Sequence, residues 1–164
     1  MKPLRVYVDT SVFGGCFDRE FSQPSQALFA AIQQGQAQAL LSDILIAEIA
    51  RAPQPVQVLL AQTIQGGAEV LEATQEAVEL QEAYLTAGVV TTKFADDALH
   101  VAQATLARAD VIASWNFRHL VHPTKVRGFN GVNVANGYGL MVILTPADVV
   151  RILEARDNEQ SGVD

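Results

Sequence analysis

Three carboxylates stand where their neighbours make them costly: Asp9, Glu48 and Asp97. In VYVDTSVFGG, residues 6–15, an apolar run fit for the middle of a sheet ends on the charge of Asp9, followed by two hydroxyls and two glycines. At 100° per residue, Glu48 falls between Leu45 and Ile49 on one side and Ile44 on the other, inside an apolar arc. Asp97 aligns with Phe94, Val101 and Ala104 and so faces inward. Its neighbour Asp96 shares a stripe with His100, Gln103 and Ala107, the most polar side of the same helix. Burying a carboxylate uncompensated costs several kcal/mol, so each inward acid needs a cation, a hydrogen-bond partner or a proton. Together the three raise one another's pKa values, and a hard divalent cation, Mg2+ or Mn2+, removes the conflict. The chemistry to expect is metal-assisted hydrolysis of a phosphodiester, with water as the nucleophile. Asp96 reads as an acid favoured by the helix dipole, with a supporting place beside the metal ligands as the alternative. Asp110, at the amino end of a strand, reads as structural.

Short aliphatic runs must carry these acids. Strands are predicted at 4–8, 39–42, 69–72, 110–114 and 140–144, alternating with helix-period segments, the pattern of a parallel sheet with crossover helices. The expected fold is therefore a three-layer α/β/α domain around a central parallel sheet of about five strands. Ligands of such folds bind beyond the carboxyl ends of the strands, where the topology switches. Asp9 follows the first strand at that edge and Asn116 lies just past the fourth. Helices are predicted from Ser25 to Gln34, from Ser42 or Asp43 to Arg51, onward through Ile64 after Pro53 and Pro55, from Thr74 to near Gly88, over 93–108, and from a Thr145 cap with Pro146 and Asp148. Residues 115–139, with Pro123 and four glycines, read as a long surface loop and carry no assignment. One domain spans 1–156, and DNEQSGVD beyond it reads as a flexible tail over 157–164.

Composition narrows the class. At 164 residues and 49% hydrophobic, the chain supports one well-buried core. Neither a span of ~20 apolar residues nor a secretory signal is visible, and one cysteine, Cys16, allows no intrachain disulfide, so a cytoplasmic protein without membrane contact is expected. Cys16 reads as a small buried thiol. A net charge of −7 argues against gripping nucleic acid with the whole surface, so any such contact must be local.

These motifs resemble the PIN-domain family, metal-dependent ribonucleases that include the VapC-like toxins. VYVDTSVFGG resembles the family's opening strand with its metal-binding aspartate, and IAEIAR the helix that bears the glutamate. FADDALHVAQA resembles the helix in which an aspartate precedes A-L-x-x-A, which selects Asp97, and ADVIASWNFRHL the following strand and turn. The four motifs come in the expected order over nearly the whole chain. The resemblance implies an Mg2+- or Mn2+-dependent endoribonuclease with Asp9, Glu48 and Asp97 as metal ligands. It implies Asn116 assisting, where most of the family carries a fourth acid, and Ser11 as a donor orienting Asp9. It also implies RNA as substrate, an antitoxin protein as a partner and a homodimer.

Arg118, His119, His122, Lys125 and Arg127 form the densest basic segment and begin two residues after Asn116. Arg118, His119, Lys125 and Arg127 are the candidates to guide an RNA backbone, with Trp115 or Phe117 stacking on an unpaired base or else packing in the core. Two rivals stand beside this reading. One is a PIN-like RNA- or protein-binding module without catalysis. The other is a phosphoryl-transfer enzyme with Asp9 as covalent nucleophile, against which stands Ser11 where such enzymes place a second acid.

Overall fold

The run Leu4–Val8 forms strand β1, whose pleat sends Val6 and Val8 to one face of the sheet and Tyr7 to the other. The computed structural model describes residues 1–162. After β1 follow α1 (Thr10–Gly15), α2 (Ser22–Gln33), β2 (Ala37–Ser42), α3 (Asp43–Ile49), α4 (Gln54–Gln65), β3 (Glu69–Leu71) and α5 (Gln75–Thr86). A 3-10 turn (Thr92–Phe94) leads into α6 (Ala95–Leu106), then β4 (Val111–Ala113), α7 (Pro123–Ala135), β5 (Ile143–Leu144) and α8 (Pro146–Ser161). The strands make one all-parallel sheet in the order β3-β2-β1-β4-β5.

Both faces are covered, as the aliphatic strands require. Phe13 of α1, Leu28 of α2, Leu45 of α3, Leu60 of α4 and Leu153 of α8 pack around Val6 and Val8. On the opposite face Leu80 and Tyr84 of α5, Val101 of α6 and Phe129 of α7 surround Tyr7, Leu40 and Ile112. The architecture is the expected α/β/α sandwich. From β1 the chain builds outward to β2 and β3, then returns to β4 on the other flank of β1 and continues to β5. The direction reverses between β1 and β4, and a crevice opens beyond their carboxyl ends. Asp9 begins there, its N–H donating to Ala113 O at 3.0 Å and closing the ladder.

Helix signals act where hydroxyls and prolines stand. The Ser42, Thr74 and Thr145 hydroxyls accept from the N–H groups of Leu45, Ala77 and Asp148, and prolines occupy the first turns of α4, α7 and α8. Gly35 and Gly88 end α2 and α5 with φ of 81° and 74°.

Four features differ from expectation. Ser25 does not cap α2, which starts earlier at Ser22; Ser25 is buried and accepts a 2.8 Å bond from Trp115 Nε1. Residues 10–15, for which no element was predicted, form the short α1. Within 115–139 lies the 13-residue α7, capped by His122, whose Nδ1 accepts from Thr124 N–H at 3.2 Å. Its Gly128 is not a loop signal: a Cβ there would stand 3.1 Å from Val89 Cγ1, so the glycine lets the helix approach. Finally, α8 runs through residues 157–161, where a flexible tail was expected; Gln36 holds Asp157 at 2.6 Å and Arg156 reaches Lys2 O at 2.7 Å. The remaining tail positions, 163 and 164, lie outside the described residues. Among the described residues, no helix is long and apolar enough to cross a membrane.

Candidate active site

At the carboxyl end of β1, Asp9 is buried, 5% exposed, and its orientation is set by two hydroxyls. Ser11 and Ser114 donate to Asp9 Oδ2 at 2.7 and 2.8 Å. Each also accepts a backbone N–H from the strand exit after β4, Ser11 from Trp115 at 2.9 Å and Ser114 from Asn116 at 2.9 Å. Asp9 is thus tied to both strands of the crevice. Oδ1 remains directed toward His100, whose Nε2 lies 4.0 Å away.

Glu48 arrives from α3, which Ser42 caps at the end of β2. Its Oε2 accepts from Thr10 Oγ1 at 2.5 Å and its Oε1 meets His100 Nε2 at 2.9 Å. Burial would raise the Glu48 carboxyl, but the hydrogen bond and charge of His100, with the Thr10 hydroxyl, overcome this and hold it below its usual range. His100 itself is 1% exposed, where the sequence placed it on the polar side of α6. Burial lowers its basicity, yet the Glu48 bond and the charges of Asp9, Glu48 and Asp97 win and raise it. Behind the ring, Nδ1 meets the Tyr7 hydroxyl at 2.6 Å, and Tyr7 meets Ser42 Oγ at 2.7 Å.

Asp97, half-buried in the first turn of α6, feels the other acids. Burial first, then Asp9 and more weakly Glu48, push its carboxyl up to about 6, against the pull of His100 and Asn116. Asp9, Glu48, Asp97 and Asn116 are therefore brought together from four separate elements or loops. Asp96 is exposed beside Asp97 and makes no side-chain bond to them. Asn116 shapes the turn that leaves the crevice, its Oδ1 accepting from His119 N–H at 2.9 Å.

The basic segment does not stay together. Arg118 and Lys93 stand 5.8 and 5.6 Å from the Phe94 ring centroid, and the His119 ring packs against Phe94 at a 33° tilt with centroids 3.9 Å apart. Burial, Arg118 and Lys125 all lower the His119 pKa. Lys125 is tied back, donating to Val89 O at 2.7 Å, and Arg127 lines a separate cleft with Val121, His122, Val126 and Ile143. Between the aromatics the structure chooses: Trp115 stacks on Phe21 at 4.3 Å and bonds Ser25, whereas Phe117 is 49% exposed.

Neither a protein-family model nor a curated protein matches this chain.

In kind and charge the oxygen donors suit a hard divalent cation, which would offset the like charges of Asp9 and Glu48 that, after burial, raise the Asp97 carboxyl. Among the described residues, however, no three Asp, Glu, His or Cys side chains already form a metal cage. Glu48 Oε2 and Oε1 are engaged by Thr10 and His100, and the acids have to draw closer to one another to surround an ion. Sequence reasoning gave no site role to His100, Tyr7, Ser42 or Ser114, and of the two hydroxyls after Asp9 it chose Ser11, whereas Thr10 also acts, on Glu48. The usable signal was His100 lying one turn from Asp97, with Tyr7 the single polar side chain between Val6 and Val8.

The pKa directions fix the pH response of the metal-free protein. Asp97 binds its proton more tightly folded than unfolded, so stability falls as pH rises from 3.8 to about 6. The contribution of His100, full below about 6.5, is lost as pH rises further. Glu48 and Asp43 act oppositely, and their contribution is lost as pH falls below about 4. In EDTA the thermal midpoint is expected to be highest near about pH 5 and lower at pH 8, and Mn2+ should raise it more at pH 8, where Asp97 is ionised. Thermal melts across pH with and without Mn2+ check this; a midpoint in EDTA that climbs from pH 5 to 8 would contradict it.

Proposed function

We propose that this protein is an Mg2+- or Mn2+-dependent endoribonuclease of the PIN type, with Asp9, Glu48 and Asp97 holding the metal and Asn116 assisting. The observation that carries this reading is the meeting of three acids from distant segments at the β1/β4 switch point, where Asp9 and Glu48 oxygens lie 4.0 and 2.9 Å from one imidazole nitrogen and Asp97 feels both charges. A hard divalent cation there would activate water and offset charge growing on a phosphodiester. Ser11 and Ser114 fix the Asp9 carboxylate, and the amide of Asn116 adds polarity without adding a fourth negative charge. Arg118 and Lys93 around Phe94 offer local positive charge to an RNA backbone despite the net −7, and His119, its pKa lowered, adds a ring rather than a charge, whereas Lys125 is tied back to Val89 O and Arg127 lines a separate cleft. A cytoplasmic site of action, a homodimer and pairing with an antitoxin protein belong to the same reading.

The test is cleavage of single-stranded RNA by the purified protein in Mn2+ and its disappearance in EDTA. No cleavage in either condition, with RNA retained on the protein, would favour a second reading, a PIN-like binding module. The missing fourth acid and the unclosed carboxylates are the observations that support it.

Phe117 separates contact with RNA from packing. Phe117→Ala is expected to raise KM for single-stranded RNA about tenfold, the loss of one base–aromatic stack, with little change in kcat or thermal midpoint. Steady-state kinetics with a fluorogenic RNA reads this directly. A lowered midpoint with unchanged KM would assign Phe117 to the aromatic cluster of Phe21 and Trp115.

A further inference from the structure

A buried line of polar groups crosses the core from β2 to the crevice. Ser42 Oγ, Tyr7 OH, His100 Nδ1 and Nε2 and Glu48 Oε1 follow one another at 2.7, 2.6 and 2.9 Å, and Tyr7, Ser42 and His100 are each 1% exposed or less. The donor chemistry gives the line a direction. A carboxylate only accepts, so His100 Nε2 must donate to Glu48. In the neutral ring Nδ1 then accepts from the Tyr7 hydroxyl, and Tyr7 oxygen accepts from Ser42. If the ring is protonated, Tyr7 turns its hydrogen to Ser42, and Nε2 still donates to Glu48. None of these atoms is left without a partner.

We infer that His100, held by Tyr7 and Ser42, is a positioning residue that sets the place of the Glu48 carboxylate for the metal. This inference rests on the nuclease reading above. Thr10 takes one lone pair of Oε2 and His100 one of Oε1, which leaves a further lone pair on each oxygen for a cation. The carboxylate keeps its charge and loses its freedom, so less ordering remains to be done when the ion binds. Tyr7 anchors the ring from the middle of the central strand, the part of the sheet paired on both sides.

The experiment compares wild type with Tyr7→Phe, His100→Leu and His100→Gln. In metal-free, 15N-histidine-labelled wild type, His100 Nε2 is expected to carry an exchange-protected proton, and Tyr7→Phe to leave that proton exchanging faster. Mn2+ affinity, read from the paramagnetic resonance of the free ion, is expected to fall about 10- to 100-fold in Tyr7→Phe and His100→Leu. His100→Gln, whose amide can still donate toward Glu48, should recover most of it. For Tyr7→Phe, cleavage at saturating Mn2+ should return to within about threefold of wild type, since Tyr7 touches no reacting group. A purely structural role would lower the melting temperature of the variants and leave Mn2+ affinity of the folded protein unchanged. Wild-type binding with that unchanged affinity, or an unprotonated Nε2, overturns the positioning role alone. A wild type that binds no Mn2+ overturns the nuclease reading and the role with it.

Discussion

Asp9→Asn is expected to lower cleavage of RNA in Mn2+ by at least about a thousandfold while the protein stays folded. The amide keeps the shape of the side chain, and its oxygen can still accept from Ser11 and Ser114, which now donate to Asp9 Oδ2 at 2.7 and 2.8 Å. Packing at the β1/β4 junction therefore survives. What is lost is a charge. Because Asp9 helps to hold the Asp97 carboxyl up near 6, the same substitution should let Asp97 titrate closer to 3.8. The metal-free variant should be at least as stable as wild type, since two like charges no longer face each other. Single-turnover cleavage, a denaturation midpoint and a carboxyl titration by NMR cover the three statements. Activity within tenfold of wild type would remove Asp9 from the chemistry, and a sharply lower midpoint would make it a structural residue instead.

Phe129→Ala should cost about 3–5 kcal/mol, the range for truncating a buried aromatic side chain. Phe129 is fully buried in α7, with its ring centroid 4.9 Å from that of Tyr84 in an edge-on arrangement. One turn onward, Asn133 accepts from the Tyr84 hydroxyl and donates to Thr105 Oγ1 and Gly139 O at 3.2 and 3.3 Å. A cavity at Phe129 would loosen a helix that also carries this buried polar junction, so the defect has little room to relax. Urea unfolding followed by circular dichroism measures the effect. A loss below about 1 kcal/mol would mean that α7 lies outside the cooperative core.

The segment around Phe129 also shows why part of the fold was hard to read. Gly128 and Gly131 beside Pro123 look like loop punctuation, yet one glycine serves close approach to Val89 and the proline sits in the first turn of a helix. Tertiary packing overrode local preference there. Where periodicity and caps agreed, as at Ser42, Thr74 and Thr145, helices begin where their hydroxyls predict. The C-terminal boundary failed for a different reason: charged and polar residues at 157–161 read as frayed, but Asp157 is bonded by Gln36 and the helix continues. In the crevice, charge in an apolar setting exposed Asp9, Glu48 and Asp97. Their neighbour His100 stayed hidden, because a polar residue on an amphipathic helix looks solvent-facing unless its partner is known. That partner, Tyr7, lies 93 residues away, and no local pattern connects the two. The basic run failed likewise: adjacency in the chain placed Lys125 with Arg118, whereas α7 carries Lys125 off to Val89.

The sulfur of Cys16 is buried, and burial pushes its thiol up to about 11, so near neutral pH almost none of it is the reactive thiolate. Gly14, two residues earlier, is exposed and has open space around it. Gly14→Cys would therefore place a fluorophore or spin label selectively by maleimide coupling, a few residues from Asp9, with the native cysteine left in place.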